Sequence, residues 1–191
     1  MTFRFLLMMS RHGKVRVAKW FESFTQAEKQ RIIRDMMNLV LLRDPNWSNV
    51  VDYYNAVAGQ RAASSKTNGV QPTVSDAVRL HTTGQYRDRL VYRRYAALYI
   101  ILCIDAESLA TGEANELLAL DMIHLLVECL DRYFGNVCEL DLIFNFPNVY
   151  QIIDDMFMAG EFQESSRDVI LHSIRTSDSM AGQERDEKHR A

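Results

Sequence analysis

The sequence predicts an α+β fold, in which an antiparallel sheet carries helices on its faces. Two short apolar runs near the start have strand length, and a later run at 90–105 is long enough for two strands. Residues 115–134 instead repeat their apolar positions at helical spacing. The order is therefore two strands, a helix, three strands and then helices. The 191 residues, 48% of them hydrophobic, fit one domain with a sizeable core.

The first predicted elements are a β-hairpin and a helix. Phe3–Met9 and Val15–Trp20 have the composition of strands, and the SRHGK segment between them is a tight turn. Thr25 and Glu28 form a capping-box pattern at the start of a helix that continues to about Leu42. The apolar positions of this helix predict one buried face, made of Ile32, Ile33, Met36, Leu39 and Val40.

A short edge strand at Val50–Tyr53 precedes a stretch of different composition. Residues 54–89 hold AASSKTNG and few large apolar side chains, so we expect a disordered insertion. Its basic residues outnumber its acidic ones. A solvated loop and docking to an acidic membrane surface are both compatible with this composition.

The second half of the domain begins with two strands in Leu90–Asp105, joined by a turn near Tyr95–Ala97. The apolar run ALYIILCI indicates a strand that is covered on both faces. A helix from about Asn115 to Phe134 ends at Gly135, which suits a C-terminal stop. Its predicted buried residues are Leu118, Ile123, Leu126, Val127 and Leu130.

Three helices are predicted toward the C-terminus. Glu139–Asn145 is a short one, although the alternation in ELDLIFNF is also compatible with a strand. Pro147 stands at the first turn of a second helix at Asn148–Met158, and Ser166–Ile174 forms the last. Residues 175–191 are polar and mixed in charge, and we expect a disordered tail. The predicted domain therefore spans residues 1–174.

Composition and motifs exclude several function classes. A net charge of −3 argues against a general nucleic-acid binder, and no apolar run reaches the length of a membrane span. The three cysteines are odd in number, lie in apolar contexts and have no metal-ligand spacing, which fits a reducing cytosolic compartment. Phosphate-loop, dinucleotide-binding and hydrolase motifs are absent from the sequence. We therefore expect no catalytic residues, no cofactor and no metal.

The YRRY cluster is the one basic and aromatic group that stands out. On a strand, Tyr92 and Arg94 share one face while Arg93 and Tyr95 share the other. Arg93 and Arg94 are candidate anion or partner contacts, because guanidinium groups bind anions in bidentate geometry. An edge strand whose arginines pair with carboxylates is the alternative.

Several blocks in a fixed order support a resemblance over most of Thr2–Ile174. They are SRHGKVRVAKW, LVLLRD, YRRYAALY, NELLALDMIH, LDRYFGNVCELDLIFNF and AGEFQESS. With these blocks the chain resembles the sigma (small) subunits of the heterotetrameric clathrin adaptor complexes. The resemblance implies the longin fold, a five-stranded antiparallel sheet with helices on both sides. The chain departs from the family pattern in three places: the insertion at 54–89, the smaller extension AESLATGEA before the long helix, and Pro147.

The resemblance also implies partners and a location. Family members join two large subunits and one medium subunit, associate indirectly with clathrin and the membrane, and select cargo. The details of the blocks favour the trans-Golgi and endosomal complex, with the plasma-membrane complex as the alternative. A longin-fold regulatory module that binds a small GTPase or a SNARE is an alternative of another class.

A binding site follows from the same resemblance. With a large subunit, sigma reads the acidic dileucine signal [DE]-x-x-x-L-[LI] in cargo tails. Arg16 matches the basic position that attracts the acidic residue of the signal. The hollows for the two leucines match Ala96, Leu98, Val127, Asn136, Val137 and Leu142.

Overall fold

The computed structural model describes residues 1–44, 46–53, 88–105, 108–109, 111–112 and 115–190, with side chains described as far as residue 180. The strands are β1 (Phe3–Ser10), β2 (Val15–Trp20), β3 (Val50–Tyr53), β4 (Asp88–Tyr95), β5 (Leu98–Ile104), β6 (Phe157–Met158) and β7 (Glu161–Phe162). The helices are α1 (Gln26–Met36), α2 (Glu116–Phe134), α3 (Glu139–Phe144), α4 (Phe146–Met156) and α5 (Arg167–Arg190). A π-helical turn at Met37–Leu41 extends α1.

The main sheet has five antiparallel strands in the order β2-β1-β5-β4-β3. This confirms the predicted α+β class and the five-stranded longin-like sheet. The register places Met8 beside Ile100, and Tyr95 pairs with Leu98 across the turn between β4 and β5. Strands β1 and β5 are central, so both of their faces are covered, as the apolar run in β5 predicts.

Helices cover both faces of the sheet. On one face α1 packs Ile32 and Met36 against Phe5, Leu7 and Met9. The other face is covered by α2, α4 and α5, whose apolar side chains form the larger core cluster. That cluster includes Met8, Leu98, Leu126, Val127, Leu142, Ile153 and Ile174. The alternation of side chains along the strands therefore divides the core into two layers.

The predicted start of α1 and the predicted end of α2 are confirmed, whereas the helix predicted at Asn148–Met158 ends at Met156, because Phe157 and Met158 pair in β6. Thr25 N donates to Glu28 Oε2 at 2.6 Å, and Glu28 N donates to the Thr25 hydroxyl at 3.3 Å, so the capping box is formed. Helix α2 ends at Gly135, which has φ 70°. Such a left-handed C-terminal residue suits glycine because it lacks a Cβ atom.

Two apolar residues are more exposed than the sequence predicts. Leu118 is 43% exposed, because the buried face of α2 begins one residue later, at Ala119. Leu39 is 36% exposed, and it lies in the π-helical turn, where the spacing of side chains departs from the α-helical period. Cys103 and Cys129 are buried as small apolar residues, whereas Cys138 is exposed before α3.

The C-terminal region differs from the prediction in two ways. A two-stranded hairpin, β6 and β7, stands between α4 and α5. Helix α5 continues to Arg190, where the sequence predicts a disordered tail from residue 175. Its polar residues are held by other helices, since Tyr133 Oη donates to Asp178 Oδ2 at 2.6 Å and Gln151 Nε2 donates to Ser177 Oγ at 2.9 Å.

The predicted insertion at 54–89 falls mostly outside the described residues. Its last two residues, Asp88 and Arg89, belong to β4. In the part of the chain that the structure describes, no helix is long and apolar enough to cross a membrane.

Candidate functional site

An apolar cleft lies between the turn that joins β4 to β5 and the second half of α2. Its volume is about 230 Å³. Its walls are formed by Met8, Tyr95, Ala96, Leu98, Ile100, Val127, Leu130, Asp131 and Val137. Apart from the Tyr95 and Asp131 side chains these walls are apolar, so the cleft favours an aliphatic ligand.

The turn between β4 and β5 provides one wall of the cleft. Ala96 has φ 50°, a left-handed conformation that is unusual for a residue with a Cβ atom. Arg11 N donates to Ala97 O at 2.9 Å, which ties this turn to the neighbouring turn between β1 and β2. The small side chain of Ala96 leaves this wall open.

The loop after α2 provides the opposite wall. Gly135 and Asn136 both have positive φ, of 70° and 79°, and asparagine tolerates this conformation better than most residues. Asp131 Oδ1 accepts a hydrogen bond from Val137 N at 2.8 Å. The Asp131 carboxylate therefore fixes the loop so that Val137 lines the cleft.

A polar rim lies beside Tyr95. The Tyr95 hydroxyl is 3.2 Å from His124 Nδ1, and the two rings are stacked at 11°. Burial raises the pKa of Tyr95 above its usual value, although the nearby Arg93 guanidinium acts in the opposite direction. The Tyr95 hydroxyl is therefore neutral at physiological pH and serves as a hydrogen-bonding group.

Arg16 is bound to a carboxylate of its own chain. It lies on β2, and its Nε donates to Glu139 Oε1 at 2.6 Å, with a second contact from Nη2. Glu139 is the first residue of α3 and follows Val137 by two positions. Both side chains are partly exposed, at 21% and 30%. The ion pair is thus accessible to solvent.

Four of the predicted residues meet in the cleft: Ala96, Leu98, Val127 and Val137. Leu142 does not line the cleft: its side chain, on α3, is fully buried in the core. Asn136 is exposed beside Val137, and Arg16 lies outside the cleft walls. Their role toward a ligand stays a prediction.

The remaining wall residues were missed from the sequence. Leu130 and Asp131 follow Val127 by three and four positions on α2, so helical spacing could have indicated them. Tyr95 adjoins Ala96. Met8 and Ile100 meet only through the strand register, which the sequence does not specify.

A second cleft, of about 360 Å³, lies at the edge of the sheet on the α1 side. We call it the basic cleft, and it is lined by Val40, Arg43, Asn49, Tyr92, Arg93, Arg94 and Tyr99. Both predicted anion or partner contacts, Arg93 and Arg94, are exposed and belong to its walls.

A group of large apolar side chains is exposed on α3 and at the start of α4. We call it the helical apolar surface, and it comprises Leu140 (59% exposed), Ile143 (39%), Phe144 (75%) and Phe146 (56%). Exposed apolar groups of this kind mark interaction sites. Over the described residues, no group of three or more His, Cys, Asp and Glu side chains is arranged to hold a metal.

The chain is similar to known adaptor proteins over most of its length. The family model described as the clathrin adaptor complex small chain matches residues 2–181. The AP-1 complex subunit sigma-2 of Dictyostelium discoideum is 40% identical over 94% of this chain and 92% of its own. The AP-2 complex subunit sigma of the same organism is 37% identical, with coverage of 92% and 97%.

A structural comparison agrees with the fold. A chain of a homology model of the full-length AP-3 complex in a stretched open conformation has a TM-score of 0.60, with 20% identity and coverage of 97% and 98%. The family model and the sequence relatives carry the assignment, while this likeness supports the fold alone. The chain belongs to the clathrin adaptor complex small chain family.

Proposed function

We propose that this chain reads acidic dileucine signals in cargo tails as the sigma subunit of a heterotetrameric adaptor complex. Its place of action is the trans-Golgi network and endosomes. As a clathrin adaptor small chain it is an adaptor subunit and not an enzyme. The observation that carries the dileucine proposal is the apolar cleft formed by Ala96, Leu98, Val127 and Val137.

The size and chemistry of the cleft support side chains as its ligand. At about 230 Å³ it lies below the roughly 300–1,000 Å³ of typical small-molecule pockets. Burial of two leucine side chains would contribute about 1.5–3 kcal/mol each. Ordering a flexible cargo tail offsets part of this gain, so we expect an affinity in the micromolar range or weaker. Such binding is reversible and becomes effective through multivalency on a membrane.

Arg16 supplies the basic position that the signal requires. In the free chain its guanidinium is neutralised by Glu139. The acidic residue of a signal would replace Glu139, exchanging one partly exposed ion pair for another. An exposed pair contributes about 0–1 kcal/mol, so Arg16 acts on selectivity more than on affinity.

The helical apolar surface supports assembly with a larger subunit. Phe144 and Phe146 are more than half exposed, which is unfavourable for a chain alone in water. Aromatic residues are enriched at the centres of protein interfaces. We therefore expect a large adaptor subunit to bind the helical apolar surface.

The assembly proposal is tested with the double variant Phe144→Ser/Phe146→Ser. The tagged chain is purified from its native cells, and accompanying subunits are quantified by mass spectrometry. We expect loss of most of the large and medium subunits from the double variant, because aromatic interface residues contribute roughly 2 kcal/mol or more each when they are hot spots. Met180→Ser, which changes another exposed apolar residue, is the matched control and should retain them.

The same purification identifies the complex. Sigma subunits of AP-1 and AP-2 complexes are about equally similar to this chain, with 40% and 37% identity, so sequence identity does not decide between the two complexes. Recovery of the large subunits of the trans-Golgi complex supports the proposed location, whereas recovery of endocytic ones contradicts it. Recovery of a small GTPase or a SNARE without large subunits would contradict the assembly proposal itself.

A further inference from the structure

The basic cleft lies outside the residues that the dileucine proposal uses. It brings Arg43, which follows the π-helical turn, beside Arg94 of β4, and Arg93 borders it from the same strand. Asn49 and the hydroxyl-bearing Tyr92 and Tyr99 complete its polar wall, and none of the described residues that line it is acidic. A group of like charges without an acidic neighbour attracts an anion.

The edge of the sheet contributes a backbone donor to the same place. Strand β3 pairs with β4 from Asp88 to Val91, and beyond that point none of the described strands pairs with the outer edge of β4. Tyr92 N still donates to Asn49 O at 3.0 Å. Backbone groups alternate in direction along an antiparallel strand, so the Arg94 N–H points to this same edge.

The arginines of the basic cleft are held without carboxylates. Arg43 Nε donates to Ser48 O at 3.2 Å, and its guanidinium stacks on the Trp47 ring at 5.1 Å. The Arg93 guanidinium lies over the Tyr95 ring at 5.5 Å, on the opposite face of β4 from Arg94. Within the described residues, no carboxylate forms an ion pair with Arg43 or Arg94. The charges of Arg43 and Arg94 are therefore available to a ligand.

Apolar side chains flank the basic cleft. Leu42, which precedes Arg43 in the sequence, is 79% exposed. Trp47, whose ring lies against the Arg43 guanidinium, is 61% exposed. Tryptophan with its polar indole N–H is suited to the boundary between water and a bilayer. A cationic cleft with an adjoining aromatic and aliphatic pair is the arrangement of a membrane-surface contact.

We propose that the basic cleft binds the phosphomonoester group of a phosphorylated lipid headgroup, with Leu42 and Trp47 entering the interface beside it. A phosphomonoester carries close to two negative charges and three acceptor oxygens, which suits two guanidinium groups and a backbone N–H. A carboxylate carries one negative charge and two acceptor oxygens, so it matches this set of donors less completely. The net charge of −3 makes the chain as a whole unattractive to an anionic surface, so the attraction is local to this cleft.

The test uses the full-length chain, purified with the subunits that accompany it and without cargo. Flotation measures binding to phosphatidylcholine vesicles that carry a few percent of a phosphoinositide, or phosphatidylserine at matched charge. The variant is Arg43→Gln/Arg94→Gln. Arg31→Gln/Arg34→Gln, which removes the same charge from exposed positions of α1 outside the cleft, is the control.

We expect the cleft variant to bind phosphoinositide vesicles about tenfold more weakly, because charge-assisted hydrogen bonds are lost, and the control to bind as the wild type does. Binding to phosphatidylserine vesicles should be weak and equal in all three proteins. An equal loss in both variants, or equal binding of the two anionic vesicles, would overturn the proposal.

Trp47→Ser distinguishes a lipid from a free phosphate. It should weaken vesicle binding while leaving the affinity for a soluble inositol phosphate, measured by calorimetry, unchanged. Wild-type binding of soluble phosphate or of a phosphopeptide with no vesicle binding would contradict the lipid assignment. Because the vesicles carry no dileucine peptide, these outcomes are independent of cargo recognition.

Discussion

At the residue scale, the pairing of Arg16 with Glu139 has a measurable consequence. If Glu139 competes with the acidic residue of a signal, Glu139→Gln should raise the affinity for an acidic dileucine peptide by about two- to fivefold. Fluorescence anisotropy with the purified complex measures this change. A peptide whose acidic residue is replaced by glutamine is the control and should gain nothing. A similar gain for both peptides would show that Glu139 does not compete for Arg16.

A second residue-scale prediction concerns the buried ion pair of Arg4. Its Nη1 lies 2.8 Å from Asp88 Oδ2, and the two side chains are 5% and 1% exposed. Burial alone would lower the pKa of Arg4, but Asp88 and Glu22 outweigh it and raise that pKa. Asp88→Asn leaves a buried charge without this partner, so we expect the opening free energy of β1 amides to fall by about 3–5 kcal/mol.

Hydrogen exchange in the assembled complex measures the opening of β1. Glu22→Gln removes the other partner of Arg4, which is 37% exposed, and should cost about 1 kcal/mol or less. An Asp88→Asn protein as well protected as the Glu22→Gln protein would contradict the importance of the buried pair.

What the sequence predicts at this scale is limited by distance along the chain. Ala96 and Leu98 lie in one motif, and Val137 follows the glycine that ends α2. Short local motifs therefore suffice to predict that these residues belong to the site. Arg16 and Glu139 lie 123 positions apart, and nothing in either segment indicates that they pair. Met8 joins the cleft only through its register with Ile100.

At the scale of elements, those that carry strong local signals were predicted from the sequence. The capping box of α1, the glycine stop of α2 and the apolar strands carry repeated local signals. The strands β6 and β7 have two residues each, too few for any alternation to show. The continuation of α5 past Ile174 was missed because it involves contacts that are distant in sequence: Ser177 and Asp178 are bound by Gln151, Asn148 and Tyr133 of other helices.

The turn between β6 and β7 gives an element-scale prediction. Gly160 has φ 84°, and a Cβ atom there would lie 2.5 Å from the backbone oxygen of Phe3. The backbone N–H of Phe3 also donates a hydrogen bond to Gly160 O. Gly160→Ala should therefore cost roughly 3 kcal/mol or more, from backbone strain together with the clash.

Gly135→Ala is the matched control for Gly160→Ala. Gly135 also has positive φ, at 70°, but a Cβ atom there meets nothing within 4 Å. It should cost only the roughly 1–2 kcal/mol of the left-handed conformation. Hydrogen exchange of the first amides of β1 compares the two variants. Equal losses would show that the close approach to Phe3 is relieved without cost.

At the scale of the whole molecule, two sites share one end of the sheet. The apolar cleft is bounded by Tyr95, Ala96 and Leu98, and the basic cleft by Arg93, Arg94 and Tyr99, all from the strands that meet at one turn. The helical apolar surface lies on α3 and α4. Under these proposals, cargo, membrane and partner subunit would each contact a separate surface of the chain.

The most direct test of the central claim is the affinity of the assembled complex for a labelled acidic dileucine peptide, measured by anisotropy. The variant is Val137→Asp, which places a carboxylate in the apolar wall beside Asp131. Val169→Asp makes the same change at a position that is 53% exposed on α5 and serves as the control.

The account predicts micromolar binding by the wild type and the control, and binding at least about tenfold weaker by Val137→Asp, because a charge cannot be buried there without a partner. A peptide with both leucines changed to alanine should not bind measurably. Equal binding by Val137→Asp and the wild type, or undiminished binding of the alanine peptide, would contradict the claim that this cleft reads dileucine signals.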